Sequence, residues 1–330
     1  MCGGVIVKRF SKMLLLTVVL FAVIIPVSAQ LSVGLRFNRT SYMLYEHIYA
    51  CVAIRNDSGK PLMFGERPEL QGFVLFDVRD SRGRLVPRRS GEEFSVKGLF
   101  IGPGEIKNLV IPLDKYYEFS KDGTYYIHTY VSHNNVPREY RSRDVLIRIS
   151  SGAVVWQKVV GLPSRTGEER SMVERTYSIN KVEGDGAKHY YLRVEDDGKV
   201  YAVTRIGLVL SHSKFEAEVD MLSRIHLLMP VAPRVFHYMA FNADGMLLED
   251  TYWKTSGTVP MLHRDPKRGK VTRLGGVAAK KGVDYADPKS GSLTVSDLNE
   301  RNISNPVPRK DSGLVDLGKD LMPRKSHDEE

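Results

Sequence analysis

Cysteine is nearly absent from this chain, with two in 330 residues. Cys2 lies ahead of an N-terminal apolar run, so the rest of the chain keeps Cys51 alone and can close no internal disulfide. Each core must then hold by apolar burial, without the cross-links that small exported domains commonly use. Long apolar runs are equally scarce. Beyond residue 27 no stretch approaches the roughly 20 residues that a spanning helix needs, so no transmembrane segment is expected in the mature chain. Helical periodicity is missing from the first half, where no stretch of a dozen residues repeats apolar positions at helical spacing. Catalytic signatures are absent as well. There is no Gly-x-Ser-x-Gly elbow. His263-Arg264-Asp265 resembles a kinase catalytic loop but lacks the asparagine, the glycine-rich loop and the strand lysine that such a loop works with. The Gly-Asp-Gly and Asp-Asp-Gly turns lack the alternating acidic ligands of a calcium loop. No cofactor is implied.

What is present begins with an address. Lys8, Arg9 and Lys12 make a basic leader, Met13 to Val27 is apolar, and Val27-Ser28-Ala29 has the small residues a signal peptidase reads. Residues 1–29 are therefore expected to be a signal peptide, with cleavage near Ala29 and a mature chain starting at Gln30. Cys2 precedes the apolar run and is not a lipoprotein cysteine. A secreted chain with one thiol suits a periplasm or cell exterior.

The net charge is +9. Part of it lies in two arginine runs: Arg79, Arg82, Arg84, Arg88 and Arg89, then Arg138, Arg141, Arg143 and Arg148. Such runs suit an acidic polymer, an anionic membrane surface or nucleic acid, and the partner expected is a protein or an acidic polymer at the cell envelope. They also suit an ordinary solvated hairpin. Export argues against nucleic acid.

Residues 30–150 read as short strands punctuated by turns. His47-Ile48-Tyr49-Ala50-Cys51-Val52-Ala53-Ile54 alternates, placing Ile48, Ala50, Val52 and Ile54 on one face. Asn56-Asp57-Ser58-Gly59 ends it. Ser81-Arg82-Gly83 turns a hairpin after GFVLFDVRD. In KDGTYYIHTYV, residues 121–131, Asp122-Gly123 supplies a turn. Tyr125, Ile127, Thr129 and Val131 then face one side, and Tyr126, His128 and Tyr130 the other.

Tyr125, standing just after that turn at the start of a strand, resembles the tyrosine corner of immunoglobulin-like sandwiches. SYMLYEHIYACVAIRNDSGKPL, IGPGE and DGTYYI together resemble bacterial secreted immunoglobulin-like domains. The resemblance covers about 120 residues and implies a β-sandwich, with Tyr125 and Gly123 as structural residues. Members of that family bind, space or regulate, and a few resemble proteinase inhibitors.

Residues 151–277 carry three Asp-Gly pairs, at 185–186, 197–198 and 244–245, each a strong hairpin signal. Tyr190, Leu192 and Val194 are expected on one face of a strand, and His189, Tyr191, Arg193 and Glu195 on the other. The strand before Asp244 is apolar on both faces, as if it lay between layers. Residues 214–230 satisfy both strand and helix spacing and are read as two strands turning near Asp220. An antiparallel meander of six to eight strands follows. From 278 to 330 apolar content drops, and a disordered tail is expected. The fold class is thus all-β: an immunoglobulin-like sandwich, a second antiparallel meander and a tail.

Three functions compete. The first is a secreted, non-enzymatic binding or scaffold protein, with Arg82, Arg84, Arg88, Arg89, Tyr126 and Tyr130 as contacts, since arginine and tyrosine are enriched in interfaces. The second is an extracellular protease inhibitor, by analogy with inhibitor-like sandwiches. The third is a metal-dependent hydrolase gathering His189, His226 and His237, although no pair stands at ligand spacing. Cys51, in mid-strand, reads as a small buried side chain.

Overall fold

The structure is a computed structural model that describes residues 30–89, 94–163, 172–210, 214–286 and 314–316. The expected signal peptide and most of the expected tail lie outside the described residues. The molecule is nearly all β. Among the described residues no helix is long and apolar enough to cross a membrane.

Among the described residues ten strands build the first unit: β1 (Leu31–Phe37), β2 (Ser41–Met43), β3 (Tyr49–Asn56), β4 (Leu62–Met63), β5 (Gly72–Asp80), β6 (Phe100–Ile101), β7 (Ile106–Pro112), β8 (Gly123–His133), β9 (Tyr140–Arg141) and β10 (Val145–Ser150). One sheet holds β1, β3 and β7 in that order, and a second runs β2-β10-β8-β5 with β9 beside β8. The alternation of β3 puts Ile48, Ala50, Val52 and Ile54 into the core, where Leu109 and Ile111 from β7 meet Val74, Val78, Tyr125, Ile127, Val131, Ile147 and Ile149 from the other sheet. Cys51 is buried and unpaired on the opposite side of β3. Burial raises its thiol pKa, so the thiol stays protonated and unreactive. Tyr125 stands just after the turn that leads into β8. Gly123 takes φ +156°, the ring packs edge-on against Phe119 at 5.2 Å, and the hydroxyl donates to the Lys121 carbonyl at 2.6 Å.

Among the described residues the second unit has eleven strands: β11 (Ala153–Pro163), β12 (Met172–Gly184), β13 (Ala187–Glu195), β14 (Val200–Leu208), β15 (Glu216–Val219), β16 (Ile225–Ala232), β17 (Val235–Phe241), β18 (Leu247–Lys254), β19 (Met261–Arg264), β20 (Val271–Leu274) and β21 (Val277–Ala278). Where one meander of six to eight strands was expected, two form: β11-β12-β13-β14, and β15-β16-β17-β18-β21. The physical reason lies in β17. Its Met239 and Phe241 enter the core between the two sheets with Leu192 and Val194. Its Tyr238 and Ala240 point the other way and are covered with Leu262 of the β19–β20 hairpin. A strand apolar on both faces needs a layer on each side. Asp185 and Gly186 both take positive φ between β12 and β13, the backbone that a tight hairpin demands.

The described residues run on to 286, past the start of the expected tail. Tyr285 stacks on Tyr252 at 4.1 Å, and Asp284 pairs with Lys254 at 2.8 Å. A last strand, β22 (Leu314–Asp316), pairs parallel with β7 and so returns to the first unit.

The units meet closely. The β12–β13 hairpin tip reaches β2, where Asp185 accepts from the Thr40 backbone at 3.0 Å. Tyr191 packs with Met43 and Val182. The polar side of β13 therefore faces the first unit and not open solvent.

Candidate interaction surface

The outer face of the β2-β10-β8-β5 sheet carries exposed aromatic and apolar side chains. Its origin is the period of two along β8. With Tyr125, Ile127 and Val131 committed to the core, Tyr126, His128 and Tyr130 must point out. Register then sets their neighbours. Leu75 opposes Tyr130, Asp77 opposes His128 and Arg79 opposes Tyr126. Leu146 of β10 opposes Tyr126 from the other side. Phe73, Leu75, Tyr126 and Leu146 are 41%, 39%, 44% and 46% exposed. Side chains of this size left half in water on one face mark a contact surface more often than isolated exposed residues do.

The rim is basic, and much of its charge is locally paired. Arg79 forks onto Asp77 at 2.7 and 2.8 Å. Arg84 binds Asp80 at 2.7 Å. Arg82 stands at the exposed hairpin tip, its backbone N–H held by Asp80 at 2.9 Å. Arg141 lies 6.0 Å from the Tyr130 ring centroid and donates to Asp144 at 2.6 Å. Arg148 projects beside Leu146 with no ion-pair partner among the described residues. His128 is buried at the centre of this network. Its pKa is lowered, first by burial and then by the Arg141 guanidinium.

The expected contact residues therefore divide. Arg82, Arg84, Tyr126 and Tyr130 lie on or beside this face. Arg88 and Arg89 turn away after Pro87. Arg88 covers the Tyr117 ring at 5.8 Å, and Arg89 Nε donates to the Asp114 carbonyl at 3.1 Å, at the cleft between the units. Phe73, Leu75 and Leu146 join the face although sequence reasoning passed over them. The apolar residues at both parities of GFVLFDVRD were the available signal.

That cleft, of about 610 Å³, has its polar groups largely engaged. Glu46 accepts from Arg39 at 2.5 Å and from the Met43 backbone at 2.9 Å. Asp114 holds His47 at 2.7 Å, which raises the His47 pKa. Asp196 accepts the Tyr201 hydroxyl at 2.6 Å. Arg193 lies over the Tyr45 ring at 5.2 Å. The cleft is a joint more than an open receptor.

The three histidines do not converge. His189 accepts from Arg205 at the junction of the units. His226 bridges Asp220 at 3.2 Å and Tyr238 at 2.8 Å. His237 stacks on Tyr252 at 4.2 Å and binds Asp250 at 2.5 Å. Among the described residues no group of three or more His, Cys, Asp or Glu side chains is placed to hold a metal. The expected histidine centre is thus not assembled there.

No protein-family model, curated protein or solved structure matches this chain.

Proposed function

We propose that this chain is an exported, non-enzymatic binding protein. Its first unit, an immunoglobulin-like sandwich, docks a protein partner on the outer sheet face after cleavage near Ala29, in the periplasm or beyond. The observation that supports this reading is the contiguous Phe73, Leu75, Tyr126, Tyr130 and Leu146 surface under a rim in which arginines outnumber aspartates. Apolar centre and charged rim is the anatomy of a protein interface. The sign of the rim calls for an acidic border on the partner. An acidic polymer is the weaker fit, because Arg79 and Arg84 are already engaged by Asp77 and Asp80 and a polyanion needs free contiguous charge.

The test is affinity capture from envelope fractions with the mature protein as bait, beside a Tyr126→Ser/Leu146→Ser variant and an Arg88→Ala control. Both substituted positions are exposed, so the fold should persist. A shared set of acidic proteins should be held by wild type and Arg88→Ala, weakened by salt, and held about 30-fold less by the double variant, as for loss of an interface hot spot. Equal retention by the double variant would remove the reading.

A further inference from the structure

A second surface lies on the other unit and is independent of the sheet face just described. It is the groove where the edge strands β11 and β15 of the two stacked sheets part. Trp156, Tyr190 and Phe215 line it with Lys214, Glu216 and Glu218, and its volume is about 510 Å³, inside the roughly 300–1,000 Å³ range of small-molecule sites. A register shift between Val154 and Trp156 places the indole there; a bulge next to a site commonly re-aims a side chain. Tyr190 and Phe215 meet edge-on at 5.0 Å, the edge of one ring set against the face of the other. All three rings are only half-buried.

What sets this groove apart is unspent bonding capacity. Trp253, the chain's other tryptophan, has its N–H on Thr251 at 2.9 Å and Arg273 over its ring. By contrast, the Trp156 indole N–H, the Tyr190 hydroxyl, the Lys214 ammonium and the Glu218 carboxylate have no partner among the described residues. Glu216 uses one carboxylate oxygen on the Leu262 backbone at 2.6 Å and leaves the other. Indole N–H and tyrosine O–H groups at half-buried sites remain open to a ligand's acceptors. The rings share the groove with free donors and acceptors, the Glu216 and Glu218 side chains standing on the opposite face of the β15 edge from Phe215. A pyranose ring presents the complement, an apolar C–H face with hydroxyls around its edge, each both donor and acceptor. Two carboxylates against one ammonium disfavour an acidic sugar.

From this arrangement we infer that the groove between β11 and β15 binds an uncharged glycan segment, with Trp156 as the stacking platform and Glu218 and Lys214 bonding to hydroxyls.

The experiment titrates the full mature protein with uncharged oligosaccharides of glucose, xylose, mannose and N-acetylglucosamine, and with uronic-acid oligomers. Tryptophan fluorescence and calorimetry are the readouts. At least one uncharged series should saturate, with Trp156→Ala weakening it by more than about tenfold. Glu218→Gln should weaken it severalfold, while Trp253→Phe retains the fluorescence response and Tyr126→Ser the affinity. Uronic oligomers should bind at least about tenfold more weakly. If Trp156→Ala fails to fold, Tyr190→Phe and Glu218→Gln carry the test, and unchanged affinity in both overturns it. So does the absence of saturation by every uncharged series, or equal binding of the acidic ones.

Discussion

Buried against Arg205 at the junction of the units, His189 is held neutral. Its pKa falls to about 4, through burial first, then through Arg205 and Arg39, with Asp185 opposing. Arg205 donating to its Nε2 fits the neutral ring. In the unfolded chain the same residue titrates near 6.5. The folded value is the lower one, so the unfolded state takes up a proton first as acidity rises. Stability from this group is therefore complete above about pH 6.5 and is lost as pH falls towards about 4. His226 and His237 are lowered as well, chiefly by burial, and add in the same direction. Asp220 does not contribute in this window. Burial pushes its pKa up, but bonds from the Arg224 backbone, the Arg224 guanidinium and His226 outweigh that and hold it low. Urea denaturation should show a loss on the order of 1–3 kcal/mol between about pH 7 and about pH 5. In His189→Gln the slope of stability against pH should be shallower. An unchanged slope would mean that His189 titrates alike in the folded and unfolded chains.

Among the elements, the β15–β16 turn depends on one carboxylate. Asp220, with its side chain 1% exposed, accepts from the backbone of Leu222 and Arg224, each at 2.9 Å, from Arg224 Nε at 2.7 Å and from His226. Asp220→Ala strands those donors and should lower stability by about 3 kcal/mol or more, read as a shift in denaturation midpoint. That turn was legible in the sequence, as was the alternation of β8, because a strand with one buried face writes its orientation into every second residue. The Asp185-Gly186 hairpin was legible because few residues tolerate its backbone. Three features were not. The run from Arg79 to Arg89 looked like one charged patch, yet the chain turns at Pro87 and sends its two ends to different surfaces. Leu146 carries no local mark of this face, and the apolar residues at both parities of GFVLFDVRD do not tell which side of the sheet goes uncovered. The Trp156 groove depends on β11 and β15 becoming edges, and sheet order is a long-range outcome. The same holds for β22, whose partner β7 lies some 200 residues earlier in the chain.

At the scale of the whole molecule, the question is what fixes the two units to each other. The link between β10 and β11 is short, and Asp122 grips it by accepting from the Ser151 backbone at 2.9 Å. Asn180 of β12 donates to the Ser151 carbonyl at 3.1 Å. Across the interface Arg39 reaches the Tyr191 hydroxyl at 3.1 Å while paired with Glu46. The tightest approach is Gly184 against Ser41. A Cβ at Gly184 would fall inside the Ser41 side chain, and Ser41 is itself buried. Neither backbone can retreat freely, because Asp185 binds Thr40 and β2 is paired along β10. Gly184→Ala should therefore part the joint and cost about 1–3 kcal/mol, the usual range for overpacking. Limited proteolysis should then cut faster near residues 151–152. The cause can be isolated with a second substitution. Ser41→Gly removes the atoms that the new methyl would strike, so Gly184→Ala/Ser41→Gly should recover much of the loss, giving a coupling energy of about 0.5–3 kcal/mol for residues in contact. Additive losses in the double variant would show that the units are not held by this contact.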